Sequence, residues 1–195
     1  MGYHSPVLLN ECIEGLNIKP TGIYVDVTFG GGGHSQEIMK HLDGGKLFAF
    51  DQDADAYENN LQQDGFKLID ANFRYLRNFL RMEGIKKVDG ILADLGVSSH
   101  QFDVAERGFS TRFEGELDMR MNPKLDFSAK EIVNNYSEEN LANVLYKYGE
   151  LKNSRRIAKE IVNARQVEKI NTTKELIVVV AKIVPEKYRN QFLAR

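Results

Sequence analysis

The sequence predicts an α/β protein: a parallel sheet of four strands, followed by a segment made of helices alone. Three observations predict it. Short apolar runs alternate with helical periods as far as Leu95, the pattern of βαβ units. The runs IYVDV and GILAD are apolar on both sides of the pleat, as strands must be when helices cover both faces of a sheet. Four consecutive glycines, Gly30 to Gly33, stand directly after the first run, where such a sheet turns into its first helix.

The elements follow in order. GIYVDVTF reads as the first strand, HSQEIMKHL as a helix, KLFAFD as the second strand and ADAYENNLQQ as a helix. FKLIDANF then reads as the third strand, RYLRNFLRMEG as a helix and VDGILADLG as the fourth strand. After Leu95 the strands stop, and a loop rich in Gly, Ser, Asp and Arg runs to about Pro123. SAKEIVNNYS and SEENLANVLYKYG each open with a serine suited to an N-cap. NSRRIAKEIVNARQ and TTKELIVVVAKIV follow, and Pro185 is expected to end the last helix. The change from βαβ to helices alone places a domain boundary near residue 105, giving segments 1–105 and 106–195.

Composition removes several classes of function. With 195 residues, 42% hydrophobic and 28% charged, the chain suits one or two globular domains and can bury a real core. Cys12 stands alone, so no disulfide framework exists and a reducing compartment is expected. MGYHSPVLLNECIEGL lacks the basic flank and long apolar core of a signal peptide, and Pro6 stands where a myristoylation signal wants Ser or Thr. Runs such as IVVVAKIV are too short to cross a bilayer. The expectation is a cytoplasmic protein without a membrane segment. Charge is unevenly spread: from Lys147 onward 12 Lys and Arg face 5 Asp and Glu, whereas the first 146 residues hold 14 against 23. That asymmetry fits either solvated helix faces or an acidic catalytic half beside a basic segment that holds a phosphate backbone.

The glycine loop lies where a doubly wound sheet binds its ligand. Gly30, Gly32 and Ser35 follow the spacing of the dinucleotide fingerprint, a weak signal by itself. Asp51 ends the second strand about 20 residues on, the position at which a carboxylate accepts both ribose hydroxyls of an adenosine cofactor. That geometry fits NAD and S-adenosylmethionine equally. Asp26, just before the loop, separates them, because an anion there repels a pyrophosphate and attracts an ammonium or a sulfonium. The loop also lacks a phosphate-binding Lys or Arg. Asp94, in ADLGVSSHQFD, is a third carboxylate at the same sheet edge. Phe73, just past the third strand, could cover an adenine ring, though core packing explains it as well.

HSPVLLNE, DVTFGGGGHS, FDQD, DANF, DLGVSSHQFDVAERGFS and LDMRMN together resemble the bacterial cytosine-N4 methyltransferases of small-subunit (16S) ribosomal RNA. The resemblance covers essentially the whole chain, and DLGVSS followed by AERGFS and LDMRM carries most of its specificity. It implies a Rossmann-like methyltransferase sheet and an all-helical, RNA-binding inserted domain. It further implies S-adenosyl-L-methionine as cofactor, a cytidine amine near the ribosomal decoding site as substrate and no metal. On this chain the implied cofactor residues are Gly32, Gly33, His34, Asp51, Phe73, Asp94 and Gln101, with Asp94 also the candidate catalytic acceptor for the amine. Many enzymes that methylate base amines carry an Asn/Asp-Pro-Pro-aromatic loop here, where this chain has DLGV, so the catalytic role stays open. Asp118 is a second acidic candidate, or an ion-pair partner of Arg112 or Arg120.

Flanking phosphates are expected on Lys152, Arg155, Arg156, Lys159 and Arg165, with Tyr136, Tyr146 and Tyr148 either stacking on bases or packing in the core. Two other readings compete: a dinucleotide-dependent oxidoreductase, and an RNA-binding or ribosome-assembly factor on a methyltransferase-like sheet. The family's sheet has seven strands, of which four are legible here. The resemblance therefore implies an order of 3-2-1-4, weak cofactor binding without methyl transfer, and helices packed on the sheet or on a second copy in a homodimer.

Overall fold

Successive side chains of a strand point to opposite faces, so one apolar run fills two layers at once. The computed structural model, which describes residues 6–184, shows this in a four-stranded parallel sheet. Its strands are β1 (Ile23–Asp26), β2 (Lys46–Asp51), β3 (Phe66–Asp70) and β4 (Gly90–Leu92), in the expected order β3-β2-β1-β4. Tyr24, Leu47 and Leu92 meet Cys12, Ile13 and Leu16 of α1 (Leu9–Leu16) and Ile38 and Met39 of α2 (Gly33–Lys40). Val25, Phe48, Phe50 and Ile69 face the other way, onto Leu76, Phe79 and Leu80 of α3 (Leu76–Met82). Asp26 therefore shares the face of Tyr24, towards α2. That register decides its chemistry.

Several elements differ from expectation. Residues 54–63 do not form an α-helix but a 3-10 helix over Ala54–Asn59. The Asp53 side chain accepts the Asp55 N–H and starts a tight turn, which Asn60 N–H closes on the Tyr57 carbonyl three residues back. β4 keeps only three residues, and among the described residues it pairs with β1 alone. β1 ends at Asp26, yet Val27 and Phe29 still donate to the Leu92 and Phe50 carbonyls. α1 was not anticipated, although Cys12, Ile13 and Leu16 have helical spacing. The expected loop after Leu95 contains α4 (Ser99–Asp103) and a 3-10 turn at Ala105–Arg107.

The chain divides into two units, Met1–Gly96 with Met121–Pro123, and Val97–Arg120 with Lys124–Arg195; residue 105 falls inside the second. In that unit α5 (Ala129–Asn135), α6 (Glu138–Lys147), α7 (Ser154–Val167) and α8 (Thr173–Ala181) enclose Leu117, Val133, Leu141, Ile157, Ile161 and Val180. The serine caps form as the sequence indicates: Ser128 closes a capping box with Glu131, and Ser137 accepts the Asn140 N–H. Thr172 and Glu175 form a second box at the start of α8. Pro185, the start of HSPVLLNE and the final YRNQFLAR lie outside the described residues. Among those described, no helix is long and apolar enough to cross a membrane.

Candidate active site

The carboxyl ends of β1, β2 and β4 bring Asp26, Asp51 and Asp94 to one edge of the sheet, at three depths. Asp26 is fully buried. Its carboxylate accepts Ser35 Oγ at 2.7 Å, Thr28 N–H at 3.0 Å and Thr28 Oγ1 at 3.4 Å. Burial pushes its pKa up, opposed by the Ser35 and Thr28 donors. Asp26 thus offers no open face for direct contact with a ligand, and any attraction it exerts on a cation acts through its charge. Strand alternation turns it inward onto α2, where it clamps the first turn of that helix to the end of β1.

Asp51 lies half-buried at the end of β2. One oxygen accepts Gly30 N–H at 2.8 Å and the other accepts Asp53 N–H at 2.9 Å. Burial raises its pKa, offset by these backbone donors. A carboxylate has about four acceptor positions, so roughly two remain for a ligand. The glycine loop is bound to this same group through Gly30, and Asn59 Nδ2 donates to the Gly30 carbonyl at 3.3 Å. Gly32 has φ 75°, and a Cβ there would fall 2.9 Å from the Phe29 ring. At Gly33 a Cβ would lie 2.3 Å from Pro6 Cγ, so the N-terminal segment rests on the start of α2. His34 is buried beside it, with Nε2 3.1 Å from the Val7 carbonyl. A carbonyl only accepts, so Nε2 carries a proton in this contact.

Asp94 is exposed, and its backbone N–H donates to Thr28 Oγ1 at 2.8 Å. Thr28 thereby joins the buried Asp26 to the exposed Asp94, a role that no motif signalled. Phe73 is 43% exposed at the start of a 3-10 turn after β3, an aromatic face open to a ligand. Asn72 Nδ2 donates to Gln52 Oε1 at 2.8 Å and ties the ends of β2 and β3 together. Sequence reasoning also missed Tyr57. Its hydroxyl is buried without a hydrogen-bond partner among the described residues, and burial together with the charges of Asp70 and Asp51 raises its pKa.

Gln101 belongs to the second unit, where it is buried and closes a capping box with Ser98 at the start of α4. Asp118 is the ion-pair partner of Arg120, which holds it from Nε at 3.0 Å and Nη2 at 2.5 Å and lowers its pKa. Arg112 instead pairs with Asp103 at 2.9 Å.

On α7 and just before it, Lys152, Arg155, Arg156 and Lys159 are exposed. Arg165 is not available in that way, because it donates to the Val133 and Tyr136 carbonyls at 2.7 and 2.6 Å and caps the end of α5. Tyr146 and Tyr148 are exposed, whereas Tyr136 packs against the helical core and Phe127.

A parallel sheet with a glycine turn after β1 and an acceptor at the end of β2 defines a Rossmann-like, cofactor-binding architecture. The chain belongs to the MraW methylase family, whose sequence profile matches residues 1–194. It is 61% identical to the "Ribosomal RNA small subunit methyltransferase H" of Flavobacterium johnsoniae, over all of this chain and 65% of that protein. Proteins of the same name from Flavobacterium psychrophilum and Cytophaga hutchinsonii are 59% and 54% identical, over 96% and 99% of this chain and 65% of each relative. The chain thus spans a little under two thirds of the length of these relatives.

Proposed function

We propose that the chain is the S-adenosyl-L-methionine-binding and RNA-binding part of an enzyme that methylates the N4 amine of a cytidine in 16S ribosomal RNA, near the decoding site. The observation that carries the cofactor reading is Asp51, a half-buried carboxylate tied to the glycine loop with acceptor positions to spare. The surrounding groups fit an uncharged ribose and a cationic donor better than a pyrophosphate. No Lys or Arg stands in the loop, and the buried Asp26 behind it disfavours further negative charge. The absence of a basic residue in the loop, with Asp26 behind it, also counts against a dinucleotide-dependent oxidoreductase.

In this reading Gly32, Gly33 and His34 shape the loop side of the cofactor site, Asp51 holds the ribose, Phe73 covers the adenine, and Asp94 completes the contacts within the first unit. The bound cofactor supplies an electrophilic methyl group. A cytosine amine is a weak nucleophile, because its lone pair is delocalised into the ring. Asp94 accepts a hydrogen bond from the amine, orients its lone pair, stabilises the positive charge that develops on nitrogen as the methyl group is transferred, and takes the proton that the amine then loses. Thr28 fixes the Asp94 backbone, so the acceptor is in place before the substrate arrives. The base must leave its stack to reach this edge, and the exposed cations of α7, with Tyr146 and Tyr148, give the second unit a face that binds RNA phosphates and bases.

Two measurements test the proposal. Calorimetry should show binding of S-adenosylhomocysteine and none of NAD or NADP. Small ribosomal subunits lacking the modification should bind the chain, and the full-length protein should convert one cytidine to N4-methylcytidine, read by mass spectrometry of the digested RNA. Binding without any methylation by the full-length protein would favour the assembly-factor reading instead.

A further inference from the structure

The first 146 residues are acidic as a whole, yet one face of the first unit carries the opposite charge. From Arg74 to Lys87 five cations stand against a single carboxylate, Glu83. Glu83 is engaged by Lys67 at 2.5 Å, and the next acid along the chain, Asp89, by Lys19 at 2.8 Å. Arg77, Arg81, Lys86 and Lys87 are all exposed, and none has an ion-pair partner among the described residues. Arg77 and Arg81 are four residues apart on α3 and so share a face. With Lys86 and Lys87 they line a groove of about 530 Å³, whose remaining walls are Leu76, Leu80, Ile85 and Val88.

Four like charges around one groove repel each other, and a solvated surface ordinarily intersperses acids among them. A polyanion relieves that repulsion. The two arginines present planar forks suited to phosphate oxygens, and the two lysines add mobile point charges. The groove runs along α3 from Leu76 to the loop 83–89, which leads into the start of β4, so its Lys86 and Lys87 end lies at the opposite end of the strands from Asp51 and Asp94. A chain bound there is not the reacting nucleotide.

We propose that the α3 groove is a second RNA-binding face, which takes the phosphate backbone of a segment remote from the target cytidine. The proposal rests on the reading of the chain as an RNA-binding enzyme, and it assigns one phosphate-tracking face to each unit. It also explains why net charge by halves conceals the site: the other acids of the first unit lie elsewhere, among them Glu11 and Glu14 on α1, Glu37 on α2, and Asp26, Asp51 and Asp94 at the strand ends.

The test uses the 195-residue chain and a fluorescent transcript of the decoding-site region of 16S ribosomal RNA, titrated across a salt series. Arg77→Glu/Arg81→Glu and Lys86→Glu/Lys87→Glu should each lower affinity at least tenfold. Each should also flatten the plot of log K against log salt by about 1.4–1.8, since a phosphate contact contributes roughly 0.7–0.9. S-adenosylhomocysteine binding and circular dichroism should not change. If a reversal unfolds the chain, Arg77→Gln/Arg81→Gln is read by the same criteria, with a smaller loss of affinity. Unchanged affinity and slope in these variants, with binding weakened by Arg155→Glu/Arg156→Glu, would remove the α3 groove and leave the RNA reading intact. A loss of affinity with no change of slope would also overturn the groove as a phosphate site. Failure of the unaltered chain to bind the transcript would overturn both.

Discussion

Ser35 Oγ donates to Asp26 Oδ2 over 2.7 Å, with both side chains fully buried. The bond joins the first turn of α2 to the last residue of β1, and so fixes both ends of the glycine loop. Removing a donor from a buried carboxylate leaves an acceptor without water or partner. Ser35→Ala should therefore lower stability by about 1–3 kcal/mol, read as a lower urea midpoint with an unchanged m-value. A midpoint equal to that of the parent protein would show that Thr28 alone satisfies Asp26.

The same carboxylate makes a prediction for pH. Its pKa is raised in the folded state by burial, so between 3.8 and that higher value the folded chain binds more protons than the unfolded chain. The Asp26 contribution to stability is then fully present below 3.8 and is lost as pH rises through the folded value. Asp89, Asp118 and Glu131, whose pKa values are lowered by their partners, act in the opposite sense. Comparing the protein with Asp26→Asn isolates the one group. The stability of the protein relative to the variant should fall with rising pH above about 4 and then level off. A difference that rises with pH would show that the hydrogen bonds of Asp26 outweigh its desolvation.

At Asp51 the expected loss is one of binding. Asp51→Ala should weaken S-adenosylhomocysteine by about 1–3 kcal/mol, the cost of leaving two hydroxyl donors without a charged acceptor. Because burial raises the Asp51 pKa, affinity should also begin to fall at a higher pH than an exposed aspartate would give. Calorimetry at several pH values measures both, and identical affinities for the two proteins would rule out the ribose assignment.

What the sequence revealed and what it hid have physical causes. The strands were legible because βαβ packing imposes apolar runs on both faces, whereas their order came from the family resemblance and not from any feature of the runs themselves. Residues 54–63 misled because Asp53 forms a side-chain turn that competes with helix formation, a choice that apolar periodicity does not encode. Asp26 was placed correctly along the chain, but its depth was not legible, since position before the loop does not tell a ligand contact from a buried clamp on Ser35 and Thr28. Thr28 and Tyr57 carried no signal at all. Their importance comes from a contact across 66 residues in one case and, in the other, from a buried hydroxyl without a hydrogen-bond partner among the described residues.

The basic residues of the second unit separate into two kinds, and the final prediction uses that division. Arg165 spends its guanidinium on two backbone carbonyls at the end of α5, whereas Arg155 and Arg156 face solvent. Arg165→Ala should thus destabilise the fold by about 1.5–3 kcal/mol per charged hydrogen bond lost, and should leave the RNA affinity of the folded fraction and its salt dependence as they were. Arg155→Ala/Arg156→Ala should do the reverse: unfolding unchanged within about 0.5 kcal/mol, as for ordinary surface substitutions, with weaker RNA binding and a flatter salt plot. Urea denaturation and RNA titration on the same two proteins give four readings. A sequence count treats the three arginines as equal, and only the carbonyls around Arg165 distinguish them. RNA binding that depends on Arg165 and ignores Arg155 and Arg156 would mean that phosphate contacts lie elsewhere, and that α7 owes its charge to solvation alone.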